Sequence, residues 1–169
     1  MTDHFLQKIA ELQKRLDEQL KNYPFPQQPE YLYDPLRYVL SGKAKRLRPV
    51  LLTLTGQAFG LDEDDLRHAA LAVELLHNFT LVHDDIMDDD EMRHGTNTIH
   101  NKWNVSIGIL AGDAILALAF NKLNKLDNTI KERFNSALIA VCEGQALDIE
   151  YETKEIISID NYISMINLK

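Results

Sequence analysis

The sequence predicts an all-α protein built from long antiparallel helices joined by short loops. Two observations support this prediction. Apolar residues recur at three- and four-residue spacing along most of the 169 residues, which is the period of an amphipathic helix. No segment is convincingly typical of a β-strand, and no repeat or low-complexity tract interrupts the pattern. We therefore expect a single all-α domain over residues 1–169.

Start and stop signals delimit the predicted helices. Three prolines in the segment NYPFPQQPEY end the first helix, and Pro49 suits the first turn of the third, which Gly60 closes. Asp62 and the acids after it form the cap and first turn of a long helix. The helices are expected at about residues 5–20, 31–40, 49–59, 62–88, 105–126 and 129–152, with a last one from about Asp160.

Composition restricts the classes of partner and compartment. The chain has 45% hydrophobic and 26% charged residues and a net charge of −8, which argues against nucleic acid as the main partner. No uninterrupted apolar run approaches the roughly 20 residues of a membrane span, so no stable membrane insertion is expected. The N-terminal segment lacks a signal-peptide core, and the single cysteine, Cys142, allows no internal disulfide. A cytoplasmic location is therefore expected.

An acidic cluster follows the apolar part of the fourth predicted helix. The segment LVHDDIMDDDEMRHG, residues 81–95, places five aspartates and one glutamate in eight positions. Asp84 and Asp88 lie one helical turn apart, about 6 Å between Cβ atoms, and Thr80 and His77 continue that face. The helix dipole disfavours negative charge at a C-terminal end, so a bound cation would offset the repulsion. Mg²⁺ suits one or two carboxylates together with water and phosphate, although a solvated acidic helix end is the alternative.

A basic segment precedes the third predicted helix. SGKAKRLRP places Lys43, Lys45, Arg46 and Arg48 within six residues, next to a helix N-terminus that already favours anions. Arg93, just after the acidic cluster, can grip a phosphate with its bidentate fork. A site that needs a cation and a site that needs an anion together indicate a metal–phosphate ligand.

These motifs together resemble the trans-isoprenyl diphosphate synthases, the polyprenyl synthetase family. HDDIMD is similar to the first aspartate-rich motif of that family, DDxxD, and KRLRP is similar to its basic motif. The segments ILAGDAILALAF, GQALD and YISMINLK follow in the family's order, so the resemblance runs from about Tyr38 to Lys169. It implies the all-α isoprenoid synthase fold, of which this chain would be the N-terminal portion and an incomplete bundle. The second aspartate-rich motif is expected beyond Lys169.

The resemblance also implies roles for individual residues. Asp84 and Asp88 would ligate Mg²⁺ on the allylic diphosphate, Asp85 would support them, and Arg93 would bind the same diphosphate. His94 stands where the family has a second arginine and can bind phosphate when protonated. Lys45, Arg48 and His77 would bind isopentenyl diphosphate. Gln145 and Asp148 would face the allylic site, and Lys169 would match the substrate-binding lysine of the family's KT motif.

Two further assignments rest on the same resemblance. Either Lys43 or Lys45 plays the role of the matched lysine, and the register with RLRP favours Lys45. Bulk at the fourth and fifth positions before the first aspartate limits product length in the family; these positions are Thr80 and Phe79. One aromatic residue and one small residue are typical of short-chain enzymes, so geranylgeranyl or farnesyl diphosphate is the expected product.

The resulting hypothesis is a prenyltransferase that condenses isopentenyl diphosphate with an allylic diphosphate, using Mg²⁺ and acting as a homodimer. The 169-residue chain by itself is expected to be inactive. The open alternative is a non-catalytic or regulatory subunit, although such a subunit has little reason to keep a repulsive acidic cluster. A metal phosphohydrolase of the HD type is disfavoured because His68 and His83 do not share a helical face with His77. A terpene cyclase would not need the basic motif.

Overall fold

The computed structural model describes the backbone of residues 2–169 and the side chains of residues 4–169. Its described part contains eight helices and one short hairpin, which confirms the all-α class. In chain order the elements are α1 (Thr2–Lys21), α2 (Glu30–Leu40), α3 (Leu47–Ala58), α4 (Glu63–Met87), β1 (Met92–Arg93), β2 (Thr96–Asn97), α5 (Ile99–Lys102), α6 (Val105–Leu123), α7 (Asn128–Glu152) and α8 (Ile159–Ile166).

The chain divides into two compact units. The first ends at Lys125 and the second is Leu126–Lys169. The first unit contains α1 to α6 with the hairpin, and the second contains α7 and α8. The interpretation of residues 1–169 as one domain stays a prediction.

Helix α4 is the central element of the first unit. It packs most extensively on α6 and also on α3, while α2 packs on α6. Asp62 caps its first turn by accepting hydrogen bonds from the backbone N–H groups of Asp64 and Asp65, at 2.8 and 3.1 Å. The buried positions of α4 recur at helical spacing and include three polar residues; they are Leu66, Ala70, Leu71, Ala72, Glu74, Leu75, Asn78, Val82 and Asp85.

Small residues let α6 approach α4 closely. Gly108 and Gly112 are buried one turn apart on α6. A Cβ atom at Gly112 would lie 2.3 Å from His83 Nε2, and one at Gly108 would lie 2.8 Å from the terminal methyl of Ile86. The missing side chain at Gly112 therefore provides the space that the His83 ring occupies, immediately before Asp84.

Helix α6 is also long and apolar enough to cross a membrane, judged by length and composition alone. The sequence contains no long uninterrupted apolar run, so this property of α6 was not predicted. In the first unit the helix packs on α4, and 28% of its apolar window is buried. Core helices of soluble proteins also meet this criterion, so the expectation of no membrane insertion stays a prediction.

Several boundaries differ from the sequence-based expectation. Helix α3 starts at Leu47, two residues early, and α6 ends at Leu123. The β-hairpin and α5 were not predicted, because segments of two to four residues are too short to show a period. Strand β1 pairs antiparallel with β2, and His94 and Gly95 form the turn with φ values of 51° and 82°. Positive φ at both central residues suits the twist of a two-residue hairpin loop.

In the second unit, α7 and α8 pack together at Gly144. A Cβ atom there would lie 2.8 Å from Lys169 Cγ and 3.0 Å from Leu168 Cβ. Met165 of α8 is buried, and Ser158 caps α8 by accepting from the N–H of Asn161 at 3.2 Å. Glycine at position 144 therefore permits the close approach of the segment that ends in Lys169.

We predict that alanine destabilises the protein at one of the two glycines of α6 and not at the other. Both changes gain up to about 1 kcal/mol of helix propensity. Gly112→Ala should nevertheless lower the free energy of unfolding by about 1–3 kcal/mol, because the new methyl group meets an imidazole ring that is held in place. Gly108→Ala is the matched control and should be near neutral, because the terminal methyl of Ile86 can rotate away. Urea unfolding measures both, and equal destabilisation would contradict this account of the packing.

Candidate functional site

Asp84 and Asp88 lie at the C-terminal end of α4. The helix ends at Met87, and the backbone N–H of Asp88 donates to the carbonyl oxygen of Asp84 at 2.8 Å. This last helical hydrogen bond keeps the two residues one turn apart on a common face. Asp84 is half-buried and Asp88 is exposed. The structure therefore brings together the two carboxylates that the sequence predicts as magnesium ligands.

Asp85, the residue after Asp84, forms an ion pair with Arg93. Arg93 Nε donates to Asp85 Oδ1, and Arg93 Nη2 lies 3.8 Å from Asp90 Oδ2. Asp85 is only 5% exposed, and burial raises the pKa of its carboxyl group, while the hydrogen bond and charge of Arg93 offset part of that rise. The ion pair orients Arg93, while the role of Asp85 in supporting Asp84 and Asp88 stays a prediction.

The segment between α4 and α5 is closed by its own hydrogen bonds. The buried Thr98 donates through Oγ1 to the carbonyl oxygen of Asp90 at 2.8 Å and through its N–H to that of Glu91 at 3.0 Å. Asn101 Nδ2 donates to the same Glu91 oxygen at 3.0 Å. These bonds hold the hairpin that carries Arg93. His94 lies exposed at the hairpin turn.

The basic half of the site joins α3 to α4. Arg48, in the first turn of α3, places Nη1 3.3 Å from Nε2 of His77 on α4. Burial is the main reason that the pKa of His77 falls to about 4, and the positive charges of Arg48, Arg46 and Arg93 lower it further. His77 is therefore neutral at pH 7. Because an arginine can only donate, His77 Nε2 accepts this hydrogen bond and the ring proton lies on Nδ1.

Only part of the basic segment faces solvent. Lys43, Lys45 and Arg48 are exposed, whereas Arg46 is 4% exposed. Lys43 lines a cavity together with residues of α1, while Lys45 immediately precedes Arg46, the N-cap residue of α3. The sequence pattern did not separate the buried arginine from its exposed neighbours. A glutamate among the apolar residues of α4, Glu74, was the available signal that a buried cation was needed.

The proposed chain-length residues lie between the two halves. Thr80 donates through Oγ1 to the carbonyl oxygen of His77 at 2.8 Å, so its hydroxyl is used within its own helix. The ring of Phe79 lies edge-on to His83, with 4.6 Å between ring centroids. His83 Nε2 is 3.4 Å from the carbonyl oxygen of Ile109, in the space provided by Gly112. This contact between His83 and Phe79 was not predicted from the sequence.

The second unit brings together two of the three residues predicted there. Lys169 Nζ donates to Asp148 Oδ2 at 2.5 Å. Gln145 is half-buried on the same helix, α7, three residues before Asp148. Within this unit the pair therefore places a cation against a carboxylate that was predicted to face the allylic site.

The donor set in the first unit fits magnesium. Two carboxylates one helical turn apart supply hard oxygen ligands and leave further coordination positions for water or phosphate. The third carboxylate, Asp85, is paired with Arg93. Among residues 4–169 no group of three or more His, Cys, Asp or Glu side chains is arranged to hold a metal ion. A site with several histidines, as in an HD-type phosphohydrolase, is therefore not found in the described part of the chain.

The order and spacing of these motifs match a known family over most of the chain. A model of the family described as polyprenyl synthetase matches residues 29–169. The chain belongs to the polyprenyl synthetase family.

Individual relatives of the family support the same assignment. The geranylgeranyl pyrophosphate synthase of Geoglobus acetivorans is 38% identical over 167 residues, 95% of this chain and 52% of that protein. The geranylgeranyl diphosphate synthase of Methanosarcina mazei is 40% identical over 147 residues, 83% of this chain and 45% of that protein. The crystal structure of geranylgeranyl pyrophosphate synthetase from Pyrococcus horikoshii Ot3 has a TM-score of 0.89 and 34% identity, covering 98% of this chain and 54% of that one. The chain spans about half the length of the relatives it matches.

The neutral state of His77 predicts how stability depends on pH. The folded-state pKa of about 4 lies below the ordinary value of 6.5, so the unfolded chain binds more protons between these values. The free energy of unfolding should therefore fall as the pH falls through this range, by at most about 1.4 kcal/mol per pH unit for one group. His77→Gln keeps a hydrogen-bond acceptor for Arg48 and should remove this contribution.

Urea unfolding of both chains between about pH 7 and pH 4 measures the effect. The contribution of Asp85, whose raised pKa acts in the opposite direction, is present in both chains and cancels in the comparison. Identical pH profiles for the two chains would contradict the assignment of a neutral, partly desolvated His77.

Proposed function

We propose that this chain is the substrate-binding part of a short-chain trans-prenyl diphosphate synthase. The supporting observation is that α4 carries Asp84 and Asp88 at its C-terminal end and, two turns earlier, His77, which Arg48 of α3 contacts. The positive charge of Arg93 is close enough to lower the pKa of His77, so the two halves are electrostatically connected. The substrates are isopentenyl diphosphate and an allylic diphosphate, and the relatives' names indicate short-chain products.

The acidic half binds the allylic diphosphate in this proposal. Asp84 and Asp88 would hold Mg²⁺, which would supply Lewis-acid stabilisation of the leaving diphosphate. Arg93, oriented by Asp85, donates to the same diphosphate oxygens through the guanidinium nitrogens that Asp85 does not engage. Gln145, Asp148 and Lys169 lie in the second unit, where Lys169 is paired with Asp148, and their roles in binding substrate stay predictions.

The basic half binds isopentenyl diphosphate. Lys45 and Arg48 are exposed cations next to the N-terminus of α3, and His77 can donate its Nδ1–H to an anion while accepting from Arg48. A neutral imidazole between cations gains protons more readily when a diphosphate arrives, because the anion offsets their repulsion. His94 would contribute as a second, exposed imidazole near Arg93.

The reaction then needs no protein nucleophile. The allylic C1–O bond breaks and its electron pair leaves with the diphosphate, whose charge the cationic side chains stabilise. The double bond of isopentenyl diphosphate attacks C1 through its terminal carbon, and a C2 proton is lost to the released diphosphate. One inorganic diphosphate is formed, and the prenyl chain is longer by five carbons.

The oligomeric state and location are part of the same proposal. We propose a cytoplasmic homodimer. Val105, Ile109 and Leu110 on α6 are 45–51% exposed, and apolar residues grouped in this way are suited to burial against a second copy. Light scattering of the purified chain measures the dimer directly.

The first functional prediction concerns the two carboxylates. The 169-residue chain should give no product with isopentenyl diphosphate, an allylic diphosphate and Mg²⁺, whereas the reading frame carried to its stop codon should give product. In that active protein Asp84→Asn or Asp88→Asn should lower turnover by about 10²-fold or more, because each removes charge that holds the metal. Asp65→Asn, at the other end of α4, is the matched control and should leave turnover unchanged.

Mass spectrometry of the products reads the outcome. Five-carbon extension by the 169-residue chain would refute the claim that residues beyond it are required. No product from either protein would favour a non-catalytic or regulatory subunit instead.

A second prediction concerns product length. Phe79→Ala in the active protein should shift the products toward chains longer by one or more five-carbon units, because it removes the bulky ring before the first aspartate. Phe59→Ala, a ring that is 81% exposed at the end of α3, is the matched control and should not change the product. An unchanged product distribution in Phe79→Ala would mean that another residue limits the chain.

A further inference from the structure

Arg46 belongs to the basic segment by sequence but not by position. Its side chain is 4% exposed, while Lys45 and Arg48 on either side of it are exposed. No role in substrate binding accounts for a guanidinium that is turned into the protein. Its contacts must therefore explain why a cation is buried there.

The guanidinium of Arg46 connects three elements of the first unit. Its Nε donates to Asp17 Oδ1 of α1 at 2.8 Å, and its Nη1 donates to Glu74 Oε1 of α4 at 2.6 Å. Its Nη2 donates to the carbonyl oxygen of Gly42 at 2.9 Å, just after α2. Gln13, one turn before Asp17 on α1, donates to the carbonyl oxygen of Lys45 at 2.6 Å. Hydrogen bonds to α1, to α4 and to the residue just after α2 therefore hold the basic segment in place.

Glu74 is as deeply buried as its partner. It is 1% exposed, and Asn78 Nδ2 donates to its carbonyl oxygen at 2.7 Å and lies 3.4 Å from Oε1. A buried carboxylate is stable only when it is paired and hydrogen-bonded, so Arg46 and Glu74 require one another. The fork of the guanidinium allows the additional bonds to Asp17 and Gly42, which a lysine cannot make simultaneously.

The backbone at Arg46 is held in an uncommon conformation. Its φ is 48° and its ψ is 34°, the left-handed region that a non-glycine residue rarely adopts. Such a conformation persists when surrounding contacts over-determine it. Because Arg46 directly precedes the first residue of α3, its conformation sets the directions of Lys45 and Arg48.

A second contact, at the protein surface, joins the start of α3 to α4. Arg46 contacts Glu74 inside the protein, while Arg48, two residues later, contacts His77, three residues after Glu74. The inner ion pair and the outer arginine–histidine contact therefore lie side by side along α3 and α4. Loss of the inner pair would release the N-terminus of α3 and with it the outer contact.

We infer that Arg46 is a positioning residue: by bridging Glu74 and Asp17 it holds Lys45 and Arg48 where they can bind a diphosphate together with His77. Arg46 itself touches no substrate. This inference rests on the proposed function for the identity of the substrate, but the positioning of Arg48 against His77 is independent of that identity.

The test uses Arg46→Lys, which keeps the charge and loses the fork, and Glu74→Gln, which keeps the shape and loses the charge. Arg67→Lys is the matched control, because Arg67 forms an exposed pair with Asp64 on α4, 3.1 Å apart. Two quantities are measured on the 169-residue chain: the ¹⁵N chemical shifts of the His77 ring, and the Kd for inorganic pyrophosphate without metal by calorimetry. Circular dichroism establishes that each variant is folded.

Both Arg46→Lys and Glu74→Gln should shift the His77 resonances and weaken pyrophosphate binding at least tenfold, while Arg67→Lys changes neither. A lower melting temperature with unchanged His77 resonances and unchanged Kd would overturn the inference, because the pair would then only stabilise the fold. Failure of both variants to fold would reject it for the same reason.

A failure of the proposed function would look different. If the wild-type chain binds no pyrophosphate, the assignment of the basic half to a diphosphate is wrong. Shifted His77 resonances in Arg46→Lys would still support the positioning role in that case, and unshifted resonances would overturn it.

Discussion

The site depends on the packing of α4 against α6. Because α6 presents Gly108 and Gly112 to its neighbour, α4 approaches closely and buries one face along its whole length. A long helix packed in this way is rigid, so the axial distance from His77 to Asp84 is set by helical rise at about 10 Å. The space provided by Gly112 also holds the His83 ring, which is adjacent to Asp84 and in contact with Phe79. One helix–helix contact therefore positions Asp84, Asp88, His83 and Phe79.

Charge in this unit is arranged so that each cluster is partly neutralised from within. Asp85 is paired with Arg93, and Glu74 is paired with Arg46. Each pair leaves neighbouring groups of one sign, Asp84 and Asp88 in the acidic cluster and Lys45 and Arg48 in the basic segment. The internal pairs orient these groups. They also reduce the repulsion between like charges that lie close together at a helix end.

Much of the fold was predictable because the signals that predict a helix lie within the helix or in the residues next to it. The period of apolar residues, the cap at Asp62 and the prolines after the first helix are properties of short segments, and seven of the eight helices in the described part of the chain were predicted from such signals. The short elements α5 and β1–β2 were missed because two to four residues show no period. The hairpin matters out of proportion to its size, since its turn at His94 and Gly95 returns Arg93 to Asp85.

The sequence by itself determined that the protein is helical, that Asp84 and Asp88 share a helical face, and that cations lie next to a helix N-terminus. These follow from spacing along a single chain segment. Only the tertiary structure decided which of the cations face solvent, because the burial of Arg46 depends on Asp17 and Glu74, 29 and 28 residues away. It also decided that His77 is neutral, because the pKa of an imidazole depends on its burial and on charges from other elements. Residue types and spacing specify a local geometry, while contacts between distant segments set the ionisation and direction of each side chain.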